Sequence, residues 1–131
     1  MYKIREASGE DLSSIFSLIN KQAHNGKILK RSRKEIKKVL RSFFVAEQDG
    51  VIVACGAIEI YNKKLAEIRS LVVTSTHQRK GIARALIKRF IQVAKKKRVY
   101  EVLTITDRDD VFVSHGFSQQ LQGQKALFLR P

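Results

Sequence analysis

The sequence predicts an α/β fold with a mixed sheet, and three observations carry that reading. Apolar residues near the N-terminus recur at helical spacing, switch to strand-like runs over residues 43–73, and return to helical spacing from residue 82. A chain of 131 residues suits one domain, 1–131, in which a single core buries about two thirds of the unfolded chain's surface. No internal repeat or linker interrupts it, and the one Pro is Pro131.

Each element has its own signal. "YKIREA" opens as a short strand. Leu12, Ile15, Phe16 and Ile19 then share one helical face. Ser8 or Ser13 can cap that helix, and Glu10 and Asp11 suit its first turn. A second helix lies in "KILKRSRKEIKKVLRSF", where Ser32 and Glu35 have capping-box spacing and Ile36, Val39 and Leu40 form the apolar stripe. "FFVAEQDGVIVACGAIEIY" reads as two strands joined at Gln48-Asp49-Gly50, and "LAEIRSLVV" as a third. A helix from about Lys80 to Lys96 follows, with Ile82, Leu86, Phe90 and Val93 along its buried side. "VYEVLTI" is a further strand, "DRDDVFVSHGF" a turn or short helix, and "ALFLR" a last strand, giving the order βααβββαβ(α)β.

Composition excludes several classes. Hydrophobic residues make up 44%, too many for a disordered chain. The single cysteine, Cys55, rules out an internal disulfide framework, and its strand context reads as a buried, inert thiol. No apolar run reaches the length of a membrane span or signal peptide, so a cytoplasmic protein is expected. The histidines His24, His77 and His115 are scattered, and no metal site is expected. The formal net charge of +14 favours acidic partners: a nucleic acid, a ribosome or an anionic small molecule.

The stretch Gln78-Arg79-Lys80-Gly81-Ile82-Ala83 carries chemistry. A strand ending near Val73, a loop and a helix start make an anion site, because first-turn N–H groups lack intrahelical partners and the helix dipole favours negative charge. Gly81 permits close approach of a bulky anion, and Arg79, Lys80 and Arg84 surround it with positive charge. A pyrophosphate fits that demand. A plain helix cap is the competing reading, and the stretch matches neither G-x-x-x-x-G-K-[ST] nor G-x-G-x-x-G.

With its neighbouring elements this stretch resembles the Q/R-x-x-G-x-G/A loop of the GCN5-related N-acetyltransferases (GNAT), over nearly the whole chain. The resemblance implies a mostly antiparallel central sheet flanked by helices, with acetyl-CoA as co-substrate and no metal. It implies that backbone groups of Leu71, Val72 and Val73 bond the pantetheine arm, and that amides from Gln78 to Ala83, including that of Ile82, hold the pyrophosphate. Arg79 stands where many members have Gly, and Ala83 where many have a second one. At a finer level, "ILKRSRKEI" and "LAEIRSLVV" resemble short stand-alone N-acetylglutamate synthase-like domains. In these an I-L-P-R-S segment presents an arginine to the substrate carboxylate; Ile28, Leu29, Arg31 and Ser32 match it, and Lys30 replaces Pro. Leu29 and Arg31 are therefore substrate-binding candidates, against the alternative of a solvated basic helix start, since eight residues from Lys27 to Arg41 are Lys or Arg.

Acetyl transfer needs an unprotonated amine, hence a base. Glu67 is the candidate, by its place in "AEI" and by its resemblance to the family's base position. Glu67, Arg69 and Leu71 share one strand face if no bulge intervenes. The competing reading makes Glu67 a structural partner of Arg69 or another cation; Arg69 is also a candidate for the substrate carboxylate. Glu59, between Ile58 and Ile60, reads as an outward-facing residue and a weaker base. The Tyr that often protonates the leaving thiolate in the family falls here at Phe112. Three functions follow: an amino-acid N-acetyltransferase that points to glutamate and arginine biosynthesis, a protein or polyamine acetyltransferase, and a basic nucleic-acid- or ribosome-binding module. A homodimer is possible in each.

Overall fold

A computed structural model describes residues 1–23 and 29–131. His24, Lys27 and Ile28, singled out in the sequence, lie outside the described residues. Five strands form one sheet in chain order: β1 (Lys3–Glu6), β2 (Phe43–Gln48), β3 (Val51–Ile60), β4 (Leu65–Val73) and β5 (Glu101–Thr104). The first four are antiparallel neighbours, and β5 runs parallel to β4. The predicted β2–β3 hairpin forms through Asp49 and Gly50, both left-handed at φ 52° and 77°, which matches strand twist across a two-residue turn.

Helices cover both faces. α1 (Leu12–Ala23) and α2 (Arg33–Lys38) lie on one side, where Ile15, Ile19 and Ile36 pack with Phe43, Val45, Cys55, Ala57 and Val72. On the other side α3 (Ile82–Lys96) sets Ile82, Leu86, Ile87 and Phe90 against Phe44, Ala54, Ile58, Ala66 and Ile68. Phe90 meets Phe44 edge to face at 5.8 Å. The expected capping box is present: the Glu35 amide donates to Ser32 Oγ at 3.1 Å. Ser8 and Asp11 form a second one at a 3₁₀ turn before α1. Asp11 also accepts two hydrogen bonds from Arg5, which pairs with Glu47 as well and so fastens β1 to β2 and to the start of α1. The Arg5 guanidinium holds the Asp11 carboxyl below its usual range. Cys55 is the buried strand thiol expected; burial pushes it up to about 12.

Two expectations fail. "ALFLR" forms no strand: residues 125–130 have no ladder partner, and Leu127, Phe128 and Leu129 are exposed. An apolar run supplies strand propensity but not an edge to pair with. Leu71 also does not share a face with Glu67 and Arg69. Ala57 pairs with Arg69 but Cys55 with Val72, so β4 holds one extra residue there, with Ser70 left-handed at φ 56°. The bulge turns Leu71 and Val73 toward the α3 side, while Val72 joins the α1 side with Cys55 and Ala57. Gly56 stands opposite the bulge, where an added Cβ would lie 2.9 Å from Phe90 Cζ and 3.1 Å from Leu71 Cδ1.

Candidate active site

The sheet splits where β5 ends. Register pairs join Leu65–Ile68 to Glu101–Thr104, and Thr104 Oγ1 donates to the Ile68 carbonyl at 3.1 Å. Beyond Ile68 the β5 side of β4 borders a cavity of about 470 Å³, within the range of ligand sites. Arg69, Ser70, Leu71, Val72 and Val73 form one wall. The loop and first turn of α3 form another through Gln78, Arg79, Gly81, Ile82, Ala83 and Arg84. Thr104 to Arg108, with Val111 and Phe112 of the short helix α4 (Asp109–Val113), close the third side. Of the expected cofactor residues only Lys80 is not on the cavity wall; it is exposed.

Gly81 is the N-cap of α3 at φ 83°, and nothing lies within 4 Å of where its Cβ would be. Glycine is there for its backbone conformation and leaves the helix N-terminus open. Arg79 is also left-handed, at φ 62°. Gln78 Nε2 donates to the Val73 carbonyl at 3.2 Å and fastens the loop to the end of β4. Arg84 Nη1 donates to Ser114 Oγ at 2.8 Å, tying the first turn of α3 to the end of α4. His77 borders the cavity, with its Nδ1 2.9 Å from Thr76 Oγ1 and 3.2 Å from Thr74 Oγ1. Phe112 is buried and packs edge to face on Phe117 at 5.3 Å, so no hydroxyl stands at that position.

The charged residues form one group on the α1 face of β3 and β4. Glu59 sits directly across from Glu67 in the register. It does not face outward as its alternation suggests: it is 8% exposed and accepts from Arg31 Nη1 at 3.1 Å, with Arg69 Nη1 3.5 Å from the same oxygen. Arg31 is not a solvated helix start. It is 6% exposed, also donates to Ser70 Oγ at 3.2 Å, and has its guanidinium 5.9 Å from the Phe43 ring centroid. Its buried Nε makes no hydrogen bond and lies 3.8 Å from Glu35 Oε2. Asn20 fixes the segment, its Oδ1 accepting from the Arg31 amide and its Nδ2 donating to the Arg31 carbonyl. Arg31 is thus a buried anchor and does not line the cavity; Leu29 is exposed and does not line it either. Of the two arginines in this group Arg69 is the accessible one, with a side chain 32% exposed on the cavity wall.

Glu67 is not on the cavity wall. It lies two residues before Arg69 on the same strand face, about 7 Å along β4. Among the described residues its partner is neither Arg69 nor another cation but Tyr61, whose hydroxyl donates to Glu67 Oε1 at 2.6 Å. Burial and that carboxylate push the Tyr61 phenol up to about 12. Sequence reasoning passed over Tyr61, Ser70 and the β5–α4 wall. The first has a signal in the diagonal cross-strand spacing of a hairpin; the bulge at Ser70 has none in composition.

The geometry has relatives. A sequence model of the acetyltransferase (GNAT) family matches residues 10–123. An uncharacterized N-acetyltransferase of Chlorobaculum tepidum is 37% identical over 116 residues, covering 88% of this chain and 75% of its own. An amino-acid acetyltransferase of Mycobacterium tuberculosis is 31% identical, covering 88% and 68%. Among solved structures, a Mycobacterium tuberculosis protein in a complex containing CoA superposes with a TM-score of 0.86 at 27% identity, over 95% of this chain and 76% of that one. The N-acetylglutamate synthase of Neisseria gonorrhoeae, complexed with coenzyme A and N-acetyl-glutamate, shares the fold at a TM-score of 0.80 and 23% identity, over 88% of this chain and 28% of that one.

Proposed function

We propose, for a chain that belongs to the GNAT acetyltransferase family and is an acetyl-CoA-dependent N-acetyltransferase, that the acceptor is the α-amine of a small acidic amino acid, with L-glutamate first and arginine biosynthesis as its setting. The observation that carries this reading is Arg69, an accessible guanidinium where the strands part, with the carboxylates Glu59 and Glu67 beside it. A guanidinium suits a carboxylate, and a carboxylate suits the ammonium that must lose its proton. The name of the 31% identical relative, amino-acid acetyltransferase, agrees with this choice.

In this mechanism the loop from Gln78 to Ala83 and the N-terminus of α3 hold the pyrophosphate, and Leu71 to Val73 hold the pantetheine arm. Arg69 takes the acceptor's carboxylate. Arg31, which is not on the cavity wall, fixes the position of Arg69 through Glu59. Glu67 removes the amine proton, directly or through water, and the amine attacks the thioester carbonyl. Backbone N–H groups at the Ser70–Val72 bulge stabilise the oxygen that gains charge. The thiolate leaves without help from a tyrosine, as its conjugate acid has a pKa of about 8.5.

Thiol release from acetyl-CoA, measured against free amino acids, polyamines and a basic peptide, tests the reading. Turnover with L-glutamate is expected. Arg69→Gln raises the amino-acid KM by about 10- to 100-fold, the worth of a charge-assisted contact, and leaves the acetyl-CoA KM near its original value. Glu67→Gln lowers kcat by about 100-fold or more near neutral pH. Preferred turnover of polyamines or the peptide would overturn the acidic-acceptor reading.

A further inference from the structure

We propose that Tyr61 is the positioning residue of the catalytic base: its hydroxyl holds the Glu67 carboxylate, as the anion and in one rotamer, for proton removal. The proposal rests on the reading of Glu67 as base and adds a residue to it.

Tyr61 follows β3 at the entry to the 61–64 connection, where its amide donates to the Leu65 carbonyl at 3.0 Å. That bond places Tyr61 across from Leu65, so Glu67 is its diagonal neighbour on the next strand, within reach of an aromatic side chain. The hydroxyl spans the gap with a 2.6 Å hydrogen bond to Oε1, the length of an O–H···O⁻ contact. A bond to the charged form favours that form.

The surrounding groups divide the labour. Glu59, across β3, is occupied by Arg31 and Arg69. Leu103 is the β5 residue paired with Glu67 and is apolar. The apolar face of α1 fills the space above the neighbouring strands through Ile15 and Ile19. Among the described residues, the phenol is therefore the hydrogen-bond donor to Glu67, and the two arginines answer to Glu59. The phenol, pushed up to about 12, stays a donor throughout the range in which an acetyltransferase is assayed. A lysine or arginine in that place would hold the anion too, but would compete with the arriving ammonium for the carboxylate. A neutral donor on one oxygen leaves the other available and adds no charge.

The test compares pH profiles of kcat/KM for the intact chain, Tyr61→Phe and Glu67→Gln, with the acceptor that turns over fastest. The acceptor's own ammonium titrates alike in all three, so a displacement between profiles belongs to the protein. Tyr61→Phe is expected to lower kcat/KM about tenfold along the acid limb and to change it little on the plateau. A uniform drop at every pH with an unmoved limb would mean that Tyr61 is only structural, and would overturn the proposal while the base reading stands. Glu67→Gln turning over at the original rate would instead remove the base reading itself. Circular dichroism and the thermal midpoint of Tyr61→Phe are read alongside; an unmoved limb in a variant with the original midpoint overturns the proposal outright.

Discussion

At the scale of single residues, the loop before α3 sets backbone against charge. Gly81 and Arg79 both hold left-handed φ, yet only one of them is glycine. A side chain in that conformation costs about 1 kcal/mol. Arg79 accepts that strain and places a cation on the cavity wall. Arg79→Gly is expected to change the thermal midpoint by only a few degrees, since relief of strain and the entropy of glycine nearly cancel. It should raise the acetyl-CoA KM by about 3- to 10-fold through loss of a phosphate contact. Gly81→Ala is the converse case: the space is open, so its cost of about 1 kcal/mol comes from φ alone. Titration of acetyl-CoA with thermal melts separates the two. An unchanged KM in Arg79→Gly would remove Arg79 from the phosphate site. A glycine before a helix start also reads as a plain cap, so Gly81 was legible only through the strand before it, the cations around it and the motif they complete. The burial of Glu59 was not legible, because Ile58-Glu59-Ile60 has the same alternation whether the glutamate meets water or two arginines.

At the scale of elements, periodicity placed α1, α2, α3 and the five strands of the sheet, since each buries a face against its neighbour, and left the segment of α4 open as a turn or short helix. It failed where the chain departs from period. The extra residue at Ser70 leaves no compositional mark, yet it decides that Leu71 faces α3 while Glu67 and Arg69 face α1. Its physical trace is Gly56, on the neighbouring strand. With Phe90 fully buried and Leu71 turned inward by the bulge, a methyl group at position 56 has nowhere to go. Gly56→Ala is expected to cost about 1–3 kcal/mol, the usual range for overpacking a core, measured as a lower denaturant midpoint with an unchanged slope. Combining it with Phe90→Leu should return part of the loss, because the two sites touch and their effects will not add. An unchanged midpoint for Gly56→Ala would mean that β3, β4 and α3 are not packed as described.

At the scale of the molecule, charge separates two kinds of electrostatics. Arg31, Glu59 and Ser70 interact at close range inside the protein, where salt screens weakly. The net charge of +14 acts from the surface over distances that salt controls: the screening length is about 10 Å at 0.1 M and about 3 Å at 1 M. Both substrates of the proposed reaction are anions, so a cationic surface raises their local concentration and their rate of encounter. A cationic acceptor such as a polyamine would be repelled. With an acidic amino acid, kcat/KM should therefore fall several-fold between about 0.05 and 0.5 M salt, while kcat, which does not depend on encounter, changes little. With a polyamine the trend should reverse, since screening relieves repulsion. The sign of the salt effect thus tests the acceptor class without any mutation. A rise in kcat/KM with salt for L-glutamate would show that the surface charge does not serve the acidic acceptor, and would leave Arg69 as the whole basis for that choice.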